Sequence, residues 1–378
     1  MRCFFMLAFL ATHVTSYYTN SFVSGSHSHA LLLASHMMLH FARYGFMFIT
    51  GLVMFLVYYH KPQIHLFSFW KKHFKNIGIP YAFWMGLFLI ITMLLSSKSF
   101  TWNHWLLTWW KGIWHGNHFF LYYLYVTLQF YLIFPILVWM FKKTKHHHKA
   151  VLIISGLIQL AMLFYVKYVF PYVSHTGWPY LFSHYGDNVL FYQYYFILGG
   201  YIWIHYEDVK KWVRKYHNWI YLATILLSIG TVALYLFNTK FLLFKRHHAT
   251  LAHQPYIMIY STAVILAAIA FSLKYAELRT NKNWQKFSAA VSITSTLSFG
   301  IYLTQMAPII ILKRILQAIN THITSWEMLL LVPIGILFVC AGSWLISYFC
   351  YKVPPLGILI GRPNGKKLQF SKKLEFFR

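Results

Sequence analysis

The chain opens Met1-Arg2-Cys3-Phe4-Phe5-Met6-Leu7-Ala8-Phe9-Leu10-Ala11-Thr12-His13, in which ten residues, all apolar except Thr12, separate an arginine from a histidine. Read as a helix, eleven steps of about 100° return His13 to within about 20° of Arg2 and raise it roughly 16 Å along the axis. That rise is about half the thickness of a bilayer core. A cation at the membrane edge and an imidazole near its middle then share one face. Polar groups at such depth are costly, which makes them functional candidates, although a lone His13 is as readily a hydrogen-bonded bundle residue.

Composition widens this reading to the whole chain. Of 378 residues, 59% are hydrophobic, 21% aromatic and only 10% charged, more apolar surface than a soluble protein of this length could bury. The expected fold class is therefore all-α, a polytopic membrane protein of about ten transmembrane helices. Nucleic-acid binding is disfavoured, because the net charge of +27 is scattered over short loops and forms no single stripe. Cys3, Cys340 and Cys350 sit in apolar runs with no metal-ligand spacing and no disulfide framework, so no metal site is expected.

Ten apolar segments can be placed, near residues 3–18, 32–59, 78–97, 118–141, 150–170, 188–206, 219–237, 255–273, 297–312 and 327–351. The first is short for a crossing, an expectation that further residues precede Met1. A basic amphipathic piece, 65–76, precedes the third span, and a Trp-rich stretch, 98–117, reads as an interfacial helix. The run His146-His147-His148 lies in a basic loop and is read as solvated, since three adjacent histidines cannot face one ion from a helix. Ten spans place both termini on one side. Twenty-three Lys and Arg fall on that side and seven on the other, which predicts cytoplasmic termini. The organisation expected is a transmembrane domain over 1–352 and a basic cytoplasmic tail over 353–378.

The six carboxylates all fall in loops or at span ends, which argues against a pump coupled to protons or cations. It also leaves Arg2 and Arg43 without acidic partners in the membrane. Unpaired cations in a bundle point to an anionic ligand, such as a phosphate or a thioester oxyanion. For Arg43 the alternative is snorkelling or a bond to a backbone carbonyl. Lys72 and Lys75, three apart at the inner mouth of the third span, share a helix face and would clamp a phosphate or serve as a membrane-surface anchor.

These features occur in the order found in a known family. The Arg2-to-His13 spacing resembles the first-span signature of the membrane acyltransferase 3 family. Tyr44-Gly45-Phe46-Met47-Phe48-Ile49-Thr50-Gly51-Leu52 is similar to its "plFFfiSGf" segment, with Thr50 where Ser is usual. Lys72-His73-Phe74-Lys75 before Ile79-Pro80-Tyr81 resembles its Arg-x-x-Arg and "iPy", with lysines for arginines. The segment from His118 to Pro135 resembles "hlWyl…yl..P", and Phe196-Ile197-Leu198-Gly199 its "ffllG". Ser298-Phe299-Gly300-Ile301-Tyr302-Leu303-Thr304-Gln305 resembles "S.giYLiH", with Gln305 in place of His. Within the family, Gly78-Ile79-Pro80-Tyr81, Met85-Gly86-Leu87-Phe88 and Gly199-Gly200-Tyr201 look most like the polysaccharide-intercellular-adhesin branch.

The resemblance implies an integral-membrane O-acyltransferase. It would move an acetyl or succinyl group from cytoplasmic acyl-CoA to a hydroxyl of a cell-surface or exopolysaccharide glycan. His13 would be the general base or a transient acyl carrier, and Arg43 would stabilise the oxyanion. Arg2, Lys72 and Lys75 would bind the CoA phosphates, while Tyr302, Gln305 and His118 would line the substrate pocket. No bound cofactor is expected; acyl-CoA is the donor substrate. The partners expected are the glycan acceptor, the lipid bilayer and a membrane glycosyltransferase, in a bacterial plasma membrane. A different class, a glycan exporter or flippase without chemistry, would use the same aromatic bundle as a sugar path.

Overall fold

Backbone polar groups find no partner in hydrocarbon, so the apolar runs of this chain must close their hydrogen bonds internally, as helices. The computed structural model describes residues 1–22, 25–96 and 100–362, and no strand occurs among them. In chain order the helices begin with α1 (Arg2–Tyr18), α2 (His27–Met38), α3 (Phe41–Tyr58), α4 (Leu66–Leu94) and α5 (Trp102–His115). There follow α6 (Tyr122–Lys143), α7 (His148–Tyr168), α8 (Tyr180–Ser183), α9 (Gln193–Ile204) and α10 (Tyr206–Leu236). The last are α11 (Arg246–Ala249), α12 (Pro255–Leu278), α13 (Gln285–Thr304), α14 (Met306–Ile319) and α15 (Ser325–Lys352).

Among the described residues, eight segments are long and apolar enough to cross a bilayer: His27–Tyr58, Leu66–Leu94, Tyr122–Lys143, His148–Tyr172, Tyr206–Phe241, Pro255–Leu278, Lys282–Thr304 and Ser325–Lys352. The protein is thus a polytopic, all-helical membrane protein. The other two expected spans, α1 and the apolar segment Val189–Ile204, are shorter. Both lie inside the bundle. Helix α1 packs on α3, α13 and α15, and α9 on α3 and α7. Burial separates core from rim: 72% of the apolar window of His27–Tyr58 is covered, against 11% of that in Tyr206–Phe241, which faces lipid.

The α3–α9 seam explains two of the family-like motifs. A Cβ on Gly51 would overlap the Phe196 carbonyl, and one on Gly199 would overlap that of Phe48. The two backbones touch where the glycines sit, the small-residue packing that joins helices in lipid. In the structure these glycines serve helix packing.

Several expected boundaries move. The amphipathic piece 65–76 and the third span are one helix, α4, which runs through Pro80. The basic segment after the sixth span is the first third of α10 and no loop. The second span is broken at Leu39–His40, where the bonds become i→i+3 and the Leu39 carbonyl, besides the Ala42 N–H at 3.0 Å, accepts from Thr12 Oγ1 at 3.2 Å. The ninth span, expected over 297–312, straddles the α13–α14 break. Pro308 cannot offer the N–H that would bond the Thr304 carbonyl, so the helix bends at Gln305. Residues 118–121 precede α6 as a turn in which Phe119 and Phe120 have φ of 54° and 63°, left-handed values costly for phenylalanine.

The Trp-rich stretch, over its described residues, forms α5, which docks two of its indoles. Trp105 and Trp109 donate to the carbonyls of Gly86 and Ala82 at 3.0 and 2.9 Å, while Trp102, Trp110 and Trp114 stay exposed. In the histidine run, His148 departs from the solvated reading. It starts α7 buried, its Nε2 donating to the Phe141 carbonyl at 2.8 Å and its Nδ1 lying 3.0 Å from His205 Nε2. Past α15, a 3₁₀ turn Leu356–Ile360 folds back onto α4, α13 and α15. The rest of the expected tail, 363–378, and Lys98 lie outside the described residues.

Candidate active site

His13 is buried in the middle of α1, and its surroundings come from three distant parts of the chain. Its Nδ1 lies 3.1 Å from Gln305 Oε1 at the α13–α14 bend. The Gln305 amide is oriented by its other end, where Nε2 donates to the Tyr302 carbonyl at 2.9 Å. The oxygen therefore faces His13 and accepts from Nδ1–H. That leaves the lone pair on Nε2, the nitrogen a general base needs.

The imidazole is held from its faces too. Phe120 stacks on it with ring centroids 3.7 Å apart and planes within 8°, and Phe9 meets it edge-on at 4.3 Å. The strained 118–121 turn sets that stacking, and Tyr302 braces it by donating its hydroxyl to the Phe120 carbonyl at 2.5 Å. Phe9, Phe46, Tyr302 and Gln305 also line a gap in the packing too narrow for a water molecule. His13, Tyr302 and Gln305, which the family resemblance assigned to one site, lie together in the structure. His118 stands apart: half-buried, it packs beside Gly112 and Phe119.

Arg43 occupies the α3 side of the same region. Its guanidinium lies 5.6 Å from the centre of the Tyr122 ring and within electrostatic range of His13, His36, His40 and His253. No carboxylate lies within 4 Å of it among the described residues, where the ion pairs are Lys210–Glu207 and Arg214–Glu277. Asp187 is the acid within its reach, and its carboxylate instead accepts from the Tyr180 hydroxyl at 3.3 Å. Burial pushes the Asp187 carboxyl above its ordinary pKa, and the Tyr180 bond and Arg43 pull against that.

The sequence reading missed the histidines around Arg43. His36 Nδ1 bonds Thr15 Oγ1 at 2.8 Å. His40 Nε2 donates to the Thr250 carbonyl at 2.9 Å, leaving its Nδ1 buried and unpartnered. His253 bridges the hydroxyls of Tyr44, at 3.0 Å, and Tyr192, at 3.4 Å. Positions 36, 40 and 43 follow an i, i+4, i+7 stripe, a signal present in the sequence. His253 carries no such signal.

At the end of the bundle bearing the N-terminus, Arg2 is half-buried and lies within electrostatic range of Tyr123, Tyr131 and Arg362. Lys72 and Lys75 sit on α4 with exposed side chains. His73 between them turns inward, its Nε2 2.8 Å from the Tyr58 hydroxyl and its ring against Tyr131. The structure therefore separates an enclosed polar centre around His13 and Arg43 from the cations around Arg2 at the end of the bundle. No group of three or more potential metal ligands occurs among the described residues.

Comparison with known proteins adds one finding. Residues 1–348 match the protein-family model numbered acyltransferase 3 and described as an acyltransferase domain. No curated protein and no solved structure matches the chain. The matched residues contain the whole His13 constellation, Arg43, Arg2, Lys72 and Lys75.

Proposed function

The chain belongs to the acyltransferase 3 family and is a multi-pass membrane acyltransferase; from that premise we propose that it transfers an acetyl or succinyl group from cytoplasmic acyl-CoA to a glycan hydroxyl. The acceptor would be a cell-surface polysaccharide or exopolysaccharide, and the membrane the bacterial plasma membrane with both termini cytoplasmic. The excess of Lys and Arg on the side of the termini supports that orientation.

His13 supports the chemistry most directly. With Nδ1–H held by Gln305, its Nε2 accepts the proton of the acceptor hydroxyl as that oxygen bonds to the thioester carbonyl carbon. The carbonyl electrons move onto oxygen, where the Arg43 cation, hydrogen-bonded to Tyr192 and with no carboxylate within 4 Å among the described residues, would stabilise the charge. Collapse of the tetrahedral intermediate breaks the carbon–sulfur bond, and the thiolate leaves with the proton carried by His13. The products are an ester and free CoA. Arg2 would hold donor phosphates at the mouth, with Lys72 and Lys75 adding a screened attraction from the surface. Lys lacks the bidentate fork of Arg, so the two lysines act as point charges. Tyr302 would shape the pocket through Phe120, whereas His118, packed beside Gly112 and Phe119, stands outside it.

The test supplies inside-out membrane vesicles with labelled acetyl-CoA and, separately, succinyl-CoA, and follows label into polysaccharide. Label incorporated from one of these donors supports the proposal. No incorporation from either, in vesicles that contain the folded protein and its glycan, contradicts it.

A further inference from the structure

Arg362 lies beyond the matched residues, yet the fold carries it back to the mouth. The 3₁₀ turn Leu356–Ile360 is anchored on three helices. The Trp84 indole donates to the Leu359 carbonyl at 2.8 Å, and buried Ile360 packs against Gly300 of α13. The Arg362 amide then donates to the Gly357 carbonyl at 2.7 Å, closing the turn. Gly361, at φ 65°, makes the reversal, and Arg362 after it is exposed.

Helix α4 offers a place for this approach. Pro80 has no N–H for the Asn76 carbonyl, and it is this oxygen that Gly361 meets: a Cβ there would stand 3.3 Å from it. The segment is thus pinned beside Asn76, next to Lys75, and on the side where α1 begins. Cys3 Sγ, one residue past Arg2, reaches the Val291 carbonyl of α13 at 3.4 Å, so α1 starts against the same helix. Arg2 and Arg362 lie within electrostatic range of one another, and neither has a carboxylate within 4 Å among the described residues. Two guanidinium groups gathered without an acid repel each other, and a phosphate ester between them turns that cost into paired, charge-assisted hydrogen bonds.

We propose that the segment after α15 completes the donor site, with Arg362 and Arg2 together holding a phosphate group of the acyl-CoA. This rests on the donor reading above and adds to it a residue outside the matched domain. The same chemistry would take a phospholipid headgroup, so the experiment separates the two sources.

The full-length protein is placed in nanodiscs of neutral phosphatidylcholine, and binding of coenzyme A is measured for wild type, Arg362→Gln and Arg362→Lys. Thermal unfolding of each variant establishes that it is folded. The expected result is affinity weakened about tenfold in Arg362→Gln and less in Arg362→Lys. Wild-type affinity in a folded Arg362→Gln overturns the inference and leaves the donor reading standing. Failure of the wild type to bind coenzyme A overturns both. Repeating the titration in phosphatidylglycerol nanodiscs gives the lipid arm. A variant that differs from wild type only there assigns the arginine to the headgroup and overturns the inference.

Discussion

His13 Nδ1 lies 3.1 Å from Gln305 Oε1, which joins the first helix to a bend 292 positions later in the chain. The bond fixes which imidazole nitrogen carries the proton. Replacing Gln305 by Leu keeps the volume and removes the acceptor. The variant is expected to lose about 10- to 100-fold in kcat, with the donor KM nearly unchanged. It also leaves Nδ1–H unpaired, which costs about 1–3 kcal/mol of stability. Steady-state kinetics and thermal unfolding check the two effects separately. A fall confined to KM would show that Gln305 binds donor and does not orient His13.

Phe120 stacks on His13 from a left-handed conformation. Such strain costs about 1–3 kcal/mol and persists because the surroundings enforce it. Phe120→Gly relieves the backbone and removes the ring. The expected outcome is unfolding at an unchanged or higher temperature together with kcat reduced about tenfold. Activity at the wild-type level would mean that the stacking does not position the base.

Gly51 and Gly199 bring α3 and α9 into backbone contact. Gly51→Ala and Gly199→Ala each insert a methyl where a carbonyl already stands. Each is expected to lower stability by about 1–3 kcal/mol, read as a lower unfolding temperature and a smaller folded fraction on size exclusion. Unchanged behaviour of both variants would refute the close seam.

Lys72 and Lys75 are exposed, so their attraction for an anionic donor is screened. Lys72→Ala/Lys75→Ala should raise the donor KM several-fold at low ionic strength, with the difference shrinking toward nothing near ~1 M salt. A salt-independent rise would place the lysines in an enclosed site.

The architecture was largely legible because lipid leaves few options. Apolar runs must be helices, and the Arg2-to-His13 spacing placed both residues on the first of them. Gln305 and Tyr302 were reached through the family resemblance, although Pro308 marks the bend that presents Gln305. Pro80 shows the limit of such signals, since α4 continues through it. The stripe His36, His40, Arg43 was written in the spacing and overlooked among the apolar residues. Phe120, His253 and Arg362 could not be read this way. They owe their positions to a strained turn, a loop and a returning segment that only tertiary packing brings together.

The central claim is that His13 acts as the base in acyl transfer, and one comparison tests it most directly. Labelled acyl-CoA and acceptor polysaccharide are given to wild type and to His13→Gln in nanodiscs, with both proteins shown to be folded, and ester formation is timed. The account predicts transfer by the wild type and a loss of at least about 100-fold in the variant. Transfer by His13→Gln at the wild-type rate would contradict it.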